Sequence, residues 1–256
     1  MIKFIKYEKI FLLSRNYNKK NYREAYCKDK KNFININMNT YDFSNSLLCK
    51  KNKGKKINKD YINYLDNGGP FFTGDTHEKG NRLPNYNVKK WYKELNEFFD
   101  KIENYFNAKV IIIPHPKYKS PKPKKTKSLN PYFNRRIVNN DYDSLAKLSP
   151  SCLFFINQGS TALSYAIANH KPAIHIYSSQ RLYARTELQS ILGQSKNTGK
   201  KPIDISTVNK KKITKNLSVD KLRYKYYKYK YLTQKNKKIE RVPNYKIIGE
   251  LVNRSI

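Results

Sequence analysis

Cysteine is rare in this chain of 256 residues, with only Cys27, Cys49 and Cys152 present. They are scattered and odd in number, which excludes a disulfide framework and the paired spacing of a zinc site, and favours a reducing, cytoplasmic setting. Long apolar runs are also missing: none approaches the roughly 20 residues that span a bilayer. The opening MIKFIKYEKIFLL intersperses lysines among its apolar residues, and no small-residue cleavage site follows, so it makes a poor signal peptide. No Walker sequence, GxGxxG, HExxH or GxSxG occurs. Their absence removes support for P-loop nucleotide hydrolysis, common dinucleotide binding and the common hydrolases. Clustered carboxylates that would suit a metal ion are not evident either.

Acidic residues are few, 19 Asp and Glu against 53 Lys and Arg, for a formal net charge of +34. Such a field attracts polyanions: nucleic acid, anionic lipid, acidic glycan or nucleotide phosphate. Lys, Asn, Ile and Tyr are all abundant, so AT-rich codon usage is a second source of the same charge. The run KKNKGKKINK (50–59) reads as a solvated linker, and RYKYYKYKYL (223–232) as a basic helix whose tyrosines partly face the protein. Read instead as a stacking platform, that tyrosine run would suit a non-catalytic protein that binds nucleic acid or another polyanion.

The patterned part of the chain starts near residue 60. DYINYLD (60–66) reads as a strand, VKKWYKELNEFFDKIENYF (88–106) as an amphipathic helix, and KVIIIP (109–114) as a strand buried on both faces. Further on, DYDSLAKLS (141–149) is a short helix, CLFFIN (152–157) a strand and STALSYAIANH (160–170) a helix. PAIHIY (172–177) is a strand, RLYARTELQSILG (181–193) a helix stopped by glycine, and KPIDIS (201–206) a last strand. Basic helices around 218–236 and 244–254 follow, and KIFLLS (9–14) and NFININM (32–38) suggest two earlier strands. Alternation of this kind specifies an α/β fold with a doubly wound parallel sheet. The expected organisation is a partial N-terminal segment and linker, 1–58, and a Rossmann-like domain, 59–256, that includes the closing basic helices.

Ligands of such sheets sit beyond the carboxyl ends of the strands. His115 lies just past one strand, fixed by proline on both sides, where its imidazole can hydrogen-bond a phosphate oxygen or protonate a leaving phosphate. Gly159, Ser160 and Thr161 form the turn from strand into helix, and a helix N-terminus there would offer positive potential to an anion, or only a cap to the helix. Asp66 ends its strand and can reach the same edge. Asp75 and His77, in FFTGDTHEKG, form a second acid–imidazole cluster; either aspartate could act as a base or simply cap a turn.

The succession of strand-LD, amphipathic helix, VIIIPHP and INQGSTALSYAIANHKPAIHI resembles the donor-binding, carboxyl-terminal half of GT-B-type glycosyltransferases of bacterial capsule and lipopolysaccharide biosynthesis. These are similar in layout to bacterial sialyl- and polysialyltransferases, which share an acidic motif, an HP motif and a Ser/Thr motif. The resemblance covers about residues 60–206. It implies that His115 and Pro116 contact the phosphate of a nucleotide-activated sugar, with a CMP-linked acidic sugar as the candidate donor, and that Ser160 and Thr161 bind the same phosphate. Asp66-Asn67-Gly68 stands in place of the acidic motif with Asn67 where a second acid belongs, so Asp75 rivals Asp66 as the base. Arg136 falls where such proteins carry an arginine. The implied partners are a nucleotide-sugar donor, used as substrate with no cofactor or metal, and a glycan or glycolipid acceptor. The implied location is cytoplasmic, with peripheral contact to the anionic inner face of a membrane, and nucleic acid is not among the expected partners. A phosphotransferase acting on a related nucleotide-linked alcohol is a further reading.

Overall fold

The computed structural model describes residues 9–13, 33–49, 60–67, 87–115, 131–139 and 144–254. The chain divides into two compact units, one made of Met1–Gly54 with Lys225–Ile256 and the other of Lys55–Tyr224. In the first unit β1 (Lys9–Leu13) pairs in parallel with β2 (Phe33–Asn37), Lys9 opposite Phe33 and Leu13 opposite Asn37. Helix α1 (Tyr41–Cys49) follows directly.

The second unit alternates strand and helix. Its elements are β3 (Tyr61–Leu65), α2 (Val88–Phe106), β4 (Lys109–Ile113), α3 (Ser144–Leu148), β5 (Phe155–Asn157), α4 (Leu163–Ala168), β6 (Ala173–Tyr177), α5 (Arg185–Thr198), β7 (Ile203–Asp204), α6 (Lys210–Asn216) and the first turn of α7 (Lys221–Tyr227), whose remaining residues fall in the first unit. The five strands form one sheet in the order β4-β3-β5-β6-β7, and every pairing is parallel. This is the doubly wound α/β arrangement. Strand β3 is internal to the sheet and wholly buried, as a strand covered by helices on both faces must be.

Helix α2 supplies much of the core because its apolar residues recur at helical spacing. Trp91, Leu95, Phe98, Phe99 and Ile102 cluster with Ile62 and Tyr64 of β3 and with Ile112 of β4. The Tyr64 and Phe99 rings meet edge to face at 4.9 Å. Each such buried side chain stabilises the fold by about 1.5–3 kcal/mol. The Asn87 side chain caps the first turn by accepting from the Lys90 amide, and Asn107, at φ 46°, closes the last.

Helix α5 departs from the expected stop at Gly193. It runs through that residue to Thr198 and ends at Gly199, φ 73°. An exposed glycine inside a helix costs about 1 kcal/mol relative to alanine, and the buried Ile191, Ser195 and Thr198 outweigh it. Only Gly199 takes the left-handed conformation that closes the helix, with its amide on Lys196 O and that of Lys200 on Ser195 O.

The closing segment, expected with the Rossmann-like domain, falls in the first unit. The reason is a set of hydrogen bonds between residues far apart in sequence. Asn39 and Asn244 exchange two bonds of 2.9 Å, Asn39 N–H to Asn244 Oδ1 and Asn244 Nδ2 to Asn39 O. Asn39 Nδ2 donates to the carbonyls of Ile239 and Val242, and Thr40 N donates to Leu232 O. After α7 the chain widens into a π-helical turn, Lys228–Leu232, and later forms helix α8 (Asn244–Arg254). Tyr224 and Tyr227 are buried while Tyr226 is exposed, so these tyrosines do not form a continuous stacking surface. None of the described helices is long and apolar enough to cross a membrane.

Candidate functional site

The sheet reverses its winding between β3 and β5, because β4 was added on one side of β3 and β5, β6 and β7 on the other. Crossovers on the two sides place their helices on opposite faces, and in sheets of this kind the ligand crevice lies at such a point, here the carboxyl ends of β3 and β5. Register specifies what borders it. Leu65 lies opposite both Ile113 and Asn157. The residues that follow are therefore Asp66-Asn67 in the middle, Pro114-His115 on one side and Gln158-Gly159-Ser160 on the other, with neighbouring strands about 4.8 Å apart. Asp66 is buried, and its amide donates to Ile113 O at 2.9 Å. Asn67 Nδ2 donates to Gln158 O at 2.7 Å, tying the middle of this edge to its β5 side. His115 is half-buried.

Beyond β5 the chain must turn sharply, and Gly159 permits it at φ +82°. A Cβ there would also sit 3.2 Å from Ser190 Oγ and 3.3 Å from Ile191 Cγ1, a tight fit that α5 could accept only by giving way slightly. The Gly159 carbonyl accepts from Ser190 Oγ at 3.0 Å and from Gln194 Nε2 at 3.2 Å, and the Ser160 carbonyl accepts from the same Nε2 at 3.2 Å. The Ser160 amide donates to Asn157 Oδ1 at 3.0 Å. Asn157 Nδ2 donates to Gln194 Oε1 at 2.6 Å and faces His175 Nδ1 at 3.2 Å, while His175 Nε2 lies 2.8 Å from Thr198 Oγ1. Burial, with a smaller contribution from the Lys200 charge, pushes the His175 pKa down to about 3, so the ring is neutral.

The expected helix N-terminus at Ser160 is displaced. Helix α4 begins at Leu163, is six residues long and has no side-chain cap at Ala162. Ser160 Oγ accepts from the Ala162 amide at 3.3 Å, and Thr161 is exposed. The turn, with its backbone groups, thus presents itself at the crevice in place of a long helix dipole.

Next along the edge, Ser178 follows β6. Its hydroxyl donates to both carboxylate oxygens of Glu94, at 2.9 and 2.7 Å, and its amide donates to Tyr183 Oη at 2.8 Å. The Arg181 guanidinium lies over the rings of Trp91 and Tyr183, at 4.7 and 4.3 Å, and pairs with Glu187. Tyr64 Oη donates to Gln158 Oε1 at 3.1 Å. Glu94 is a half-buried carboxylate that the sequence reading missed. Its one legible signal is its place in the first half of a helix that follows a strand, the half that returns over the carboxyl edge.

Asp66, His115, Gly159 and Ser160 are therefore brought to one edge of the sheet, with Thr161 in the same turn. Arg136 is not. Val138 bridges Ile112 in parallel, which sets Arg136 beside the amino-terminal half of β4. There it donates to Asn96 Oδ1 at 2.8 Å, to Glu103 Oε2 at 2.8 Å and to Asp100, and packs on the Phe99 ring at 5.3 Å. Its guanidinium fastens α2, in place of the expected phosphate contact at the carboxyl edge. Pro116, Asp75, His77 and Gly68 lie outside the described residues. Among the described residues no three His, Cys, Asp or Glu side chains group as a metal site.

No family model and no curated protein matches the chain. Among solved structures it is similar to the glycotransferase of kitacinnamycin, at 13% identity and a TM-score of 0.36 over 80% of this chain. The chain spans 45% of that protein's length.

Proposed function

We propose that the Lys55–Tyr224 unit binds a nucleotide-activated sugar across the carboxyl edge of its sheet and takes part in transfer of that sugar to a hydroxyl acceptor. The observation that carries this reading is the convergence of a carboxylate (Asp66), an imidazole (His115) and the Gly159–Ser160 turn at the switch point of a doubly wound sheet. In the proposed reaction a carboxylate, Asp66 or Asp75, accepts the proton of the acceptor hydroxyl. The oxygen so freed forms a bond to the anomeric carbon while the carbon–phosphate oxygen bond breaks, and its electron pair leaves with the phosphate. His115 and the turn meet the charge on that phosphate. The resemblance noted above favours a CMP-linked acidic sugar as donor and a surface glycan or glycolipid, met at the inner face of a membrane, as acceptor.

Thermal unfolding with CMP, UDP, GDP and ADP tests the donor. A ligand at 100 times its Kd stabilises the fold by about 2.7 kcal/mol, and CMP is expected to shift the midpoint most. His115→Ala should lose about 1.5–3 kcal/mol of nucleotide binding with little change in nucleotide-free stability. Unchanged affinity in that variant removes His115 from the site, and equal stabilisation by GDP or ADP removes the pyrimidine.

A further inference from the structure

We infer that Gln194 of α5 is a positioning residue that sets the Gly159–Ser160–Thr161 turn for anion binding; the inference rests on the reading of this turn as the donor's phosphate seat. Gln194 lies outside every sequence pattern that pointed to the site, and its side-chain amide is used at both ends. Its Oε1 accepts from Asn157, and its Nε2 donates to two successive carbonyls, those of Gly159 and Ser160. A trans peptide holds its N–H opposite its C=O. Drawing both carbonyls toward α5 therefore turns the amides of Ser160 and Thr161 to the other side. The Ser160 amide is engaged by Asn157 Oδ1, and the exposed Thr161 carries the outward one.

The donors and acceptors behind Gln194 run in one direction. Neutral His175 accepts at Nδ1 from Asn157 Nδ2 and donates from Nε2 to Thr198, whose hydroxyl donates on to Gln194 O at 3.0 Å. Asn157 can then present only its oxygen to Ser160 and only its nitrogen to Gln194, and Gln194 in turn must offer Nε2 to the turn. A carboxylate at position 194 cannot do this. It has no proton for the two carbonyls and would repel both, whereas a protonated carboxyl has one to give.

The test is Gln194→Glu, with Gln194→Met as the uncharged variant that lacks the donor. Affinity for whichever of CMP, UDP, GDP and ADP stabilises the wild type most is measured by calorimetry from pH 8 to pH 5. Each value is taken as a ratio to wild type, beside nucleotide-free thermal unfolding at the same pH. At pH 8 both variants should bind about tenfold more weakly or worse. The Glu variant should recover as the pH falls and its carboxyl gains a proton, and the Met variant should not. A ratio near one at pH 8, or a deficit in both variants that is independent of pH and follows the unfolding midpoint, overturns the inference and leaves the site standing. A wild type that binds none of the four nucleotides overturns the reading of the site and the inference with it.

Discussion

His175 and His115 show how differently two histidines of one sheet can be used. His115 lies half-buried past the end of β4, where its ring can meet a ligand. His175 lies inside β6 with no exposure, bonded to Asn157 and Thr198. The sequence singled out His115 because prolines flank it, whereas His175 within PAIHIY reads as strand. Its partners are 18 and 23 residues away, and no local pattern announces them. Burial lowers the folded pKa to about 3 from the usual 6.5. The unfolded chain therefore binds the proton more readily between those values. The stabilisation from a neutral His175 is complete above pH 6.5 and is lost as the pH falls toward 3, with a slope of up to about 1.4 kcal/mol per pH unit. Urea unfolding across that window should show this loss, and His175→Gln should flatten that part of it. An unchanged slope in the variant would show that other groups carry the acid sensitivity.

Among the elements, α2 was the most legible, since its apolar spacing, Asn87 cap and closing Asn107 are all local. What it does for Arg136 was not legible, because Asn96, Asp100 and Glu103 meet that guanidinium only once β4 and residues 136–138 lie beside the helix. Glu103 also accepts from the Val110 amide at 2.8 Å, so one carboxylate joins helix, strand and arginine. Arg136→Ala is expected to cost about 1–3 kcal/mol of stability, the range of charged hydrogen bonds discounted for the exposed Asp100. Nucleotide affinity should stay at the wild-type value. A weakened affinity with an unchanged unfolding midpoint would return Arg136 to the binding machinery.

At the scale of the molecule, the large hydrophobic cluster draws all its members from residues 62–213, within the second unit. The crevice residues Asp66, His115, Gly159 and Ser160 belong to that unit as well. A fragment of residues 55–227, which ends with α7, should therefore unfold in one cooperative transition and keep the nucleotide-dependent shift of the full chain. Failure to fold, or loss of the shift, would make the other unit part of the site or of its stability. The same fragment separates pocket binding from polyanion attraction. Contacts to many phosphates weaken on the order of 10³-fold between 50 and 200 mM salt, and a nucleotide held at the crevice should weaken far less.

Sequence alone determined the alternation of elements, because strand and helix periodicities are local and β-branched runs bounded by glycine and proline leave few options. It also placed Asp66, His115 and Gly159 at strand ends, which a parallel sheet carries to one edge. Tertiary structure decided the rest. The strand order made β3 and β5 the switch point, and the packing of α5 set the turn through Gln194 and Ser190. Asn39 with Asn244 assigned the closing segment to the first unit across 205 residues. Those outcomes depend on which side chains meet at a distance, and a buried polar group finds its partner only after the backbone has brought the two together.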